Sequence, residues 1–247
     1  MLSNSQSKYI NSLSIPKFRA ANQHFIVEGA KIGKEWLNST QKIQYIIALT
    51  DWIIENETLI QLHPEAQVVE IDAISLKKIS QLQTPNQVLL VVAYPPKIEL
   101  PQQDSWMIAL DGIRDPGNMG TIMRIADWYG IQHILCSGDC VDVYNTKVVQ
   151  AAMGAHLRVN THLVSLKETL ETSQLTSYAA TLNGENIYQI PCSSSGGIIV
   201  IGNEAFGISP EVIETCNHKV TIPRIGGAES LNAAISTGIF CALLIGS

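Results

Sequence analysis

The sequence predicts an α/β fold whose second half is a mostly parallel sheet with helices on both faces. Three observations carry that expectation. Strand-like and helix-like stretches alternate along nearly the whole chain, the order from which parallel sheets are built. The run IIVIG (Ile198–Gly202), preceded by Gly196 and Gly197, is apolar without alternation, as a strand buried on both sides requires. Between the halves lies PPKIELPQQDS, with three prolines in eleven residues and no periodicity. Residues 1–96 are therefore expected to form a small α/β domain, 97–105 a linker, and 106–247 a second domain.

Taken in order, residues 1–19 place Tyr9, Ile10 and Leu13 at roughly helical spacing, and Pro16 is expected to end that helix. HFIVE (His24–Glu28) reads as a strand closed by Gly29. AKIGKEWLN is a helix with Ile32, Trp36 and Leu37 on one side. IQYIIALT is a strand, and DWIIENETLIQLHPE a helix stopped near His63-Pro64. VVEID is a short strand, AISLKKISQL a helix with Ser75 as a candidate cap, and NQVLLVVAYP a further strand. In the second half, SWMIALDGI, IQHILCSG and THLVS read as strands, and SYAATLNG, GGIIVIGNEAFGIS and HKVTIPRIGG follow. GTIMRIADWYG, NTKVVQAAMGAHLR, LKETLETSQ and SLNAAISTGIFCALLIG read as helices.

Composition sets the class. With 46% hydrophobic residues, no segment approaches the ~18 uninterrupted apolar residues of a membrane span. The N-terminus lacks an apolar signal core, so the cytoplasm is the expected location. Five cysteines (Cys136, Cys140, Cys192, Cys216, Cys241) show no CxxC pair or zinc spacing, and reduced structural thiols are expected. Net charge is −6, yet residues 1–50 carry six Lys/Arg against two acids. A basic N-terminal fifth on an acidic body suits a local phosphate-contacting patch or a plain solvated bias. The chain has no GxGxxG, no GxxxxGK[ST], no GxSxG and no HExxH. A dinucleotide-binding oxidoreductase is disfavoured on that ground, and no metal is expected.

Three strand ends are rich in Gly, Asn and acids: LDGIRDPGNMGTIMR, IVIGNEAFGIS and TIPRIGGAESLN. In doubly wound sheets, functional groups lie at the carboxyl ends of strands. Singly, each stretch has a local explanation: Asp115 to Asn118 as a turn, Ser230 or Asn232 as a helix cap, Gly207 as a φ > 0 position. Together they favour a shared site. Arg124 stands out. Read from sequence, it falls in the early turns of its helix, where the dipole disfavours a cation by ~0.3–1 kcal/mol. An arginine there points to an anion or a reacting oxygen, with Trp128 at i+4 able to pack on its stem.

These stretches together resemble the SpoU, or TrmH, family of RNA 2′-O-ribose methyltransferases. Asn118, Gly120 and Arg124 match its first motif, Asn-x-Gly-x-x-x-Arg. Gly202, Asn203, Glu204 and Gly207 match its second. Ile222, Pro223, Gly226, Glu229, Ser230, Leu231 and Asn232 match its third. The N-terminal KFR…HFIVEGAK resembles the small substrate-binding domain of the family's ribosomal-RNA members. The resemblance implies a SPOUT fold with a deep trefoil knot, S-adenosylmethionine as cofactor, and a homodimer with the site close to the subunit interface. The small residues Ala233, Ala234, Ser236, Gly238 and Ala242 suit close helix packing there.

The resemblance also implies roles. Arg124 is the family's assigned base, although a guanidinium has a pKa above ~12 and could instead orient the 2′-oxygen and its phosphate. Asn118 would hold Arg124 or the ribose, Glu204 would sit near the substrate or brace its loop, and Ser230 and Asn232 would fix loops and substrate. Leu182, Asn183, Gly184, Ile201, Gly202, Asn203, Ile222, Pro223 and Leu231 would cradle the cofactor. Lys17, Arg19, Lys147 and Arg158 would contact RNA. Gly117 stands where tRNA-modifying relatives often carry His, which favours ribosomal RNA over tRNA. Gln150 stands where the family often has Arg. The alternatives are a tRNA 2′-O-methyltransferase and a non-catalytic RNA-binding or assembly protein on the same fold.

Overall fold

The computed structural model describes residues 2–101, 105–191 and 195–245. Gln102, Gln103 and Asp104 of the expected linker, Cys192, and Gly246 at the end of the expected last helix lie outside the described residues. The chain divides into two compact units: Met1–Lys97 with Tyr144–Leu157, and Ile98–Val143 with Arg158–Ser247.

The first unit opens on α1 (Asn4–Ser12), held by a capping box in which the Ser3 side chain accepts from Gln6 and the Gln6 side chain accepts from the Ser3 amide. Pro16 does not end this helix. It starts the next, α2 (Pro16–Asn22), at a first-turn position where a missing N–H costs nothing. β1 (His24–Glu28) follows, and Gly29 at φ +111° turns the chain into α3 (Ala30–Leu37), which buries Ile32, Trp36 and Leu37 as expected. After β2 (Ile43–Ala48) the expected single helix is two, α4 (Thr50–Glu55) and α5 (Glu57–Ile60). They break at the buried Asn56, whose side chain donates back to the Trp52 carbonyl at 2.7 Å. β3 (Gln67–Glu70) leads to α6 (Ala73–Ile79), capped by Asp72 rather than Ser75, because the Asp72 carboxylate accepts the Ser75 amide. β4 (Val88–Ala93) closes the sheet.

That sheet runs β1-β4-β2-β3, with β4 antiparallel to both neighbours and β2 parallel to β3. Period-two alternation gives it two apolar faces. Phe25, Ile46 and Val92 meet Trp36 and Trp52 on one, while Ile26, Ile47 and Val91 meet Ile10, Leu13 and Leu76 on the other. The distant segment Tyr144–Leu157 completes this unit. Its Val149 enters the Phe25 cluster, and Tyr144 stacks on Tyr94 with ring centroids 4.1 Å apart.

The second unit contains β5 (Trp106–Asp111), α7 (Pro116–Trp128) and β6 (His133–Cys136). After the excursion through α8 (Thr146–Ala152) come β7 (Asn160–Leu163), α9 (Leu166–Thr172), β8 (Ser177–Asn186) and β9 (Gly197–Gly202). The short α10 (Pro210–Ile213), β10 (His218–Thr221) and α11 (Ala233–Leu244) end the chain. The six strands lie in the order β10-β8-β9-β5-β6-β7, and every neighbouring pair is parallel. From β5 the chain first builds outward to β6 and β7, then crosses to the other side. The order therefore reverses between β5 and β9, whose last residues Asp111 and Gly202 are in register. Ligands bind at such switch points, beyond the carboxyl ends of the strands.

Candidate functional site

The turn that leaves β5 is the first turn of a helix. Asp115 is the cap of α7, its carboxylate accepting the Asn118 amide at 2.8 Å, and Pro116 takes the first helical position. This shifts Arg124. It is the ninth of thirteen helix residues, beyond the first-turn reach of the dipole, so the expected placement in the positive early turns is corrected. Arg124 is exposed and, among the described residues, makes no hydrogen bond or ion pair. The Trp128 side chain is 84% exposed.

Asn118 is the centre of a polar junction. Its side-chain Nδ2 donates to Glu204 Oε1, and its Oδ1 accepts from Asn232 Nδ2 at 2.8 Å. The amide orientation is dictated by chemistry, since a carboxylate only accepts. Asn232 Oδ1 caps α11 through the amides of Ala234 and Ile235, at 2.9 and 3.2 Å. Three segments separated by 86 and 114 residues are thus joined at the switch point. Arg124 and Ser230 are not part of this junction; Ser230 is exposed in the loop that Arg224 spans by donating to the Ala228 carbonyl.

The loop that carries Glu204 is shaped by its neighbours. Asn203 Oδ1 accepts the Ala205 and Phe206 amides, while its Nδ2 donates to the Gly112 carbonyl at 2.7 Å. Asn203 and Gly207 exchange backbone hydrogen bonds of 3.0 and 2.8 Å, with Gly207 at φ +71°. A Cβ on Gly202 would collide with the backbone of Gly207 and Ile208. Three bracing groups carry no sequence motif. Asp111 Oδ2 accepts the Ser209 amide at 2.7 Å. Ser137 Oγ accepts the Gly112 amide at 2.9 Å and donates to Asp139 at 2.6 Å, and Arg114 pairs with the same carboxylate at 3.1 Å. The Ser137 bond, and after it Arg114, holds Asp139 below the usual carboxylate range. An acid on the last residue of β5 was the one signal available for Asp111.

Beside this junction lie the residues expected to cradle the cofactor. Thr221 Oγ1 donates to the Leu182 carbonyl at 3.1 Å, and a Cβ on Gly184 would strike the Lys219 backbone, so the stretch of β8 between its paired residues Ala179 and Glu185 lies close against β10. Thr181 fixes the Asn183 carbonyl at 2.9 Å. Leu182 is 72% exposed and Leu231 47%, with Ile222 half-buried and Pro223 exposed. Ile201 is buried in the sheet, so it offers only backbone. Uncovered apolar side chains beside backbone-rich loops suit a neutral purine and its polar tail. The chemistry fits S-adenosylmethionine.

The four residues expected at RNA divide sharply. Lys17 and Lys147 are exposed. Arg19 is fully buried and donates to the Leu13 carbonyl at 2.8 Å, so it cannot reach RNA; it ties α2 back to the end of α1. Arg158 grips Asp127 through two bonds, 2.7 and 2.8 Å, which largely neutralises it. Gln150 donates to the Glu28 carbonyl at 2.6 Å, fastening α8 to β1 within the first unit.

Comparison with known proteins matches the same two regions. Residues 105–242 match the SpoU rRNA methylase family, and residues 4–90 match the MRM3-like substrate-binding domain. The 23S rRNA (guanosine(2553)-2′-O)-methyltransferase of Bacillus subtilis is 28% identical, over 96% of this chain and 94% of its own. A TrmH-family structure from Porphyromonas gingivalis superposes with a TM-score of 0.86 and 36% identity, covering 98% and 97% of the two chains. An AdoMet-bound rRNA methyltransferase from Sinorhizobium meliloti gives 0.84 and 25%, covering 98% and 95%.

Proposed function

The chain belongs to the SpoU rRNA methylase family, and from that membership we propose that it transfers a methyl group from S-adenosylmethionine to a ribose 2′-hydroxyl of ribosomal RNA. The observation that carries the reading is the Asn118–Glu204–Asn232 junction, which joins one residue of each motif at the carboxyl ends of β5 and β9. The MRM3-like match over residues 4–90 supports a substrate-binding role for the first unit.

S-adenosylmethionine, when bound, supplies an electrophilic methyl group. Leu182, Ile222 and Leu231 offer apolar side chains to hold it, and Asn183, Gly184, Ile201, Gly202, Asn203 and Pro223 offer backbone. Asn118, with both ends of its amide committed, keeps the Glu204 loop and the start of α11 in fixed relation. In-line transfer depends on such positioning, where a 1 Å error costs roughly a hundredfold. Guanidinium groups stay protonated in proteins. Arg124 is therefore assigned to orient the 2′-oxygen and its phosphate, with the proton leaving late to solvent. Ser230 is assigned to the substrate side of the third-motif loop. The knotted path of the family is adopted as the threading of the last segment, in keeping with α11 packing on α7 and β9.

A homodimer is supported by the outer face of α11. Ile235, Ile239 and Ala242 recur at i, i+4 and i+7, and Ile235 is 57% exposed. Gly238 faces the other way, toward Ile125 of α7. Among the described residues, no helix is long and apolar enough to cross a membrane; the cytoplasm is proposed as the location.

The test is nucleoside mapping of RNA from cells with and without the gene. The expected result is loss of a 2′-O-methyl mark from ribosomal RNA. Loss confined to tRNA would move the substrate. No lost mark, together with no S-adenosylmethionine binding by calorimetry, would support a non-catalytic RNA-binding protein instead.

A further inference from the structure

Behind the first-motif loop, on the β6 side of the switch point, lie two cysteines. Cys136 is the last residue of β6 and is buried. The next residues form a turn closed by the Cys140 amide on the Ser137 carbonyl at 3.2 Å, which brings Cys140 back beside Cys136. The strand register sets Cys136 opposite Leu110, whose carbonyl lies 3.2 Å from Cys140 Sγ, so both cysteines flank the same residue. Cys140 is partly exposed, and its Sγ lies 3.2 Å from the Leu110 carbonyl and 3.6 Å from Ser137 Oγ. Ser137 commits its only proton to Asp139, so it does not also serve the sulfur. The donors left to a Cys140 thiolate are the Cys136 thiol and the Ile113 amide, since the Gly112 amide is held by Ser137 Oγ.

We propose that Cys136 and Cys140 are a reversible dithiol–disulfide couple, a modification site in which Cys140 attacks small-molecule disulfides and Cys136 resolves the adduct. Neither residue belongs to the methyl-transfer site, and the proposal does not depend on that reading. The electrostatics agree with the roles. The Cys136 hydrogen bond, working against burial, brings the Cys140 thiol down to about 7. The same bond, with burial, pushes Cys136 well above the ordinary range. An attacking thiol is most effective when it titrates near ambient pH.

The chemistry balances. The Cys140 thiolate bonds to one sulfur of the small disulfide, whose S–S bond breaks and releases a thiolate that takes a proton from solvent. The Cys136 sulfur then bonds to Cys140 Sγ as the mixed disulfide breaks, and the Cys136 proton passes to the departing thiolate. Two protein thiols are oxidised, and one small disulfide is reduced to two thiols. Within the protein, the proposed bond engages the sulfur that in the reduced state lies 3.2 Å from the Leu110 carbonyl.

The test uses the full-length protein, oxidised glutathione as the probe at neutral pH, and peptide mapping. The expected product is a Cys136–Cys140 crosslink that a reductant reverses. Cys136→Ser should accumulate a glutathione adduct on Cys140, and Cys140→Ser should give neither product. In the reduced protein, iodoacetamide should label Cys140 on the order of tens of times faster than Cys216, whose thiol burial pushes up. Cys136→Ala repeats the trapping experiment if the serine variant unfolds. Labelling of Cys140 no faster than Cys216, or crosslinking of Cys140 to a cysteine other than Cys136, would overturn the proposal.

Discussion

The two units handle their polar residues in opposite ways. In the second, Asn118, Glu204 and Asn232 arrive from three separate strand ends and form one hydrogen-bonded junction. In the first, the cations of the basic N-terminal stretch are dispersed: Lys17 is solvated, whereas Arg19 is buried and donates to the Leu13 carbonyl. A polar residue beside a glycine or a cap answers a backbone demand that is local and specific. A lysine or arginine answers a charge balance that many arrangements satisfy.

The strongest way to break the comparison is to remove the centre of the junction. Asn118→Ala leaves Glu204 and Asn232 without their shared partner, and methyl transfer should fall on the order of a hundredfold with the fold intact. A loss of less than about threefold, measured by labelled-methyl incorporation, would show that the junction does not position the reaction. Gly202→Ala attacks the backbone beneath it. The added Cβ meets the Gly207–Ile208 backbone, and stability should drop by about 1–3 kcal/mol in a urea melt. A melt unchanged from wild type would mean the loop yields freely.

Two variants of the first unit sharpen the other side. Arg19→Met should cost about 1–3 kcal/mol of stability by orphaning the Leu13 carbonyl, while leaving RNA affinity unchanged in those molecules that fold. A selective loss of RNA binding would reverse the structural assignment of Arg19. Lys17→Ala should do the opposite. Stability should hold, and RNA affinity should weaken a fewfold with a salt slope shallower by roughly one, read from binding titrations at several salt concentrations.

How much of this was legible follows the same division. The strands, the parallel sheet of the second unit and the three motif loops can be read because they rest on periodicity and on Gly, Pro and Asn at strand ends. The helix break at Asn56 cannot, because its cause is a buried side chain bonding to a carbonyl four residues back. The antiparallel placement of β4 between β1 and β2 is a tertiary choice that its apolar run does not encode. Nor does local pattern reveal that Tyr144–Leu157 folds with the first unit, since Tyr94 and Phe25, whose rings Tyr144 meets, lie far upstream. Pro16 was legible as punctuation but ambiguous in sense, because the same ring that stops one helix can start the next. For Arg124 the motif marked the residue, yet its helical position depended on where α7 begins, which the Asp115 cap decides.

The proposed function puts Arg124 at the ribose and the cofactor elsewhere. The most direct measurement is single-turnover transfer of labelled methyl to ribosomal RNA by Arg124→Ala, with S-adenosylmethionine binding followed by calorimetry on the same preparation. The expected result is a loss of roughly a thousandfold in transfer with cofactor affinity within about twofold of wild type. Transfer near the wild-type rate, or a parallel collapse of cofactor binding, would contradict it.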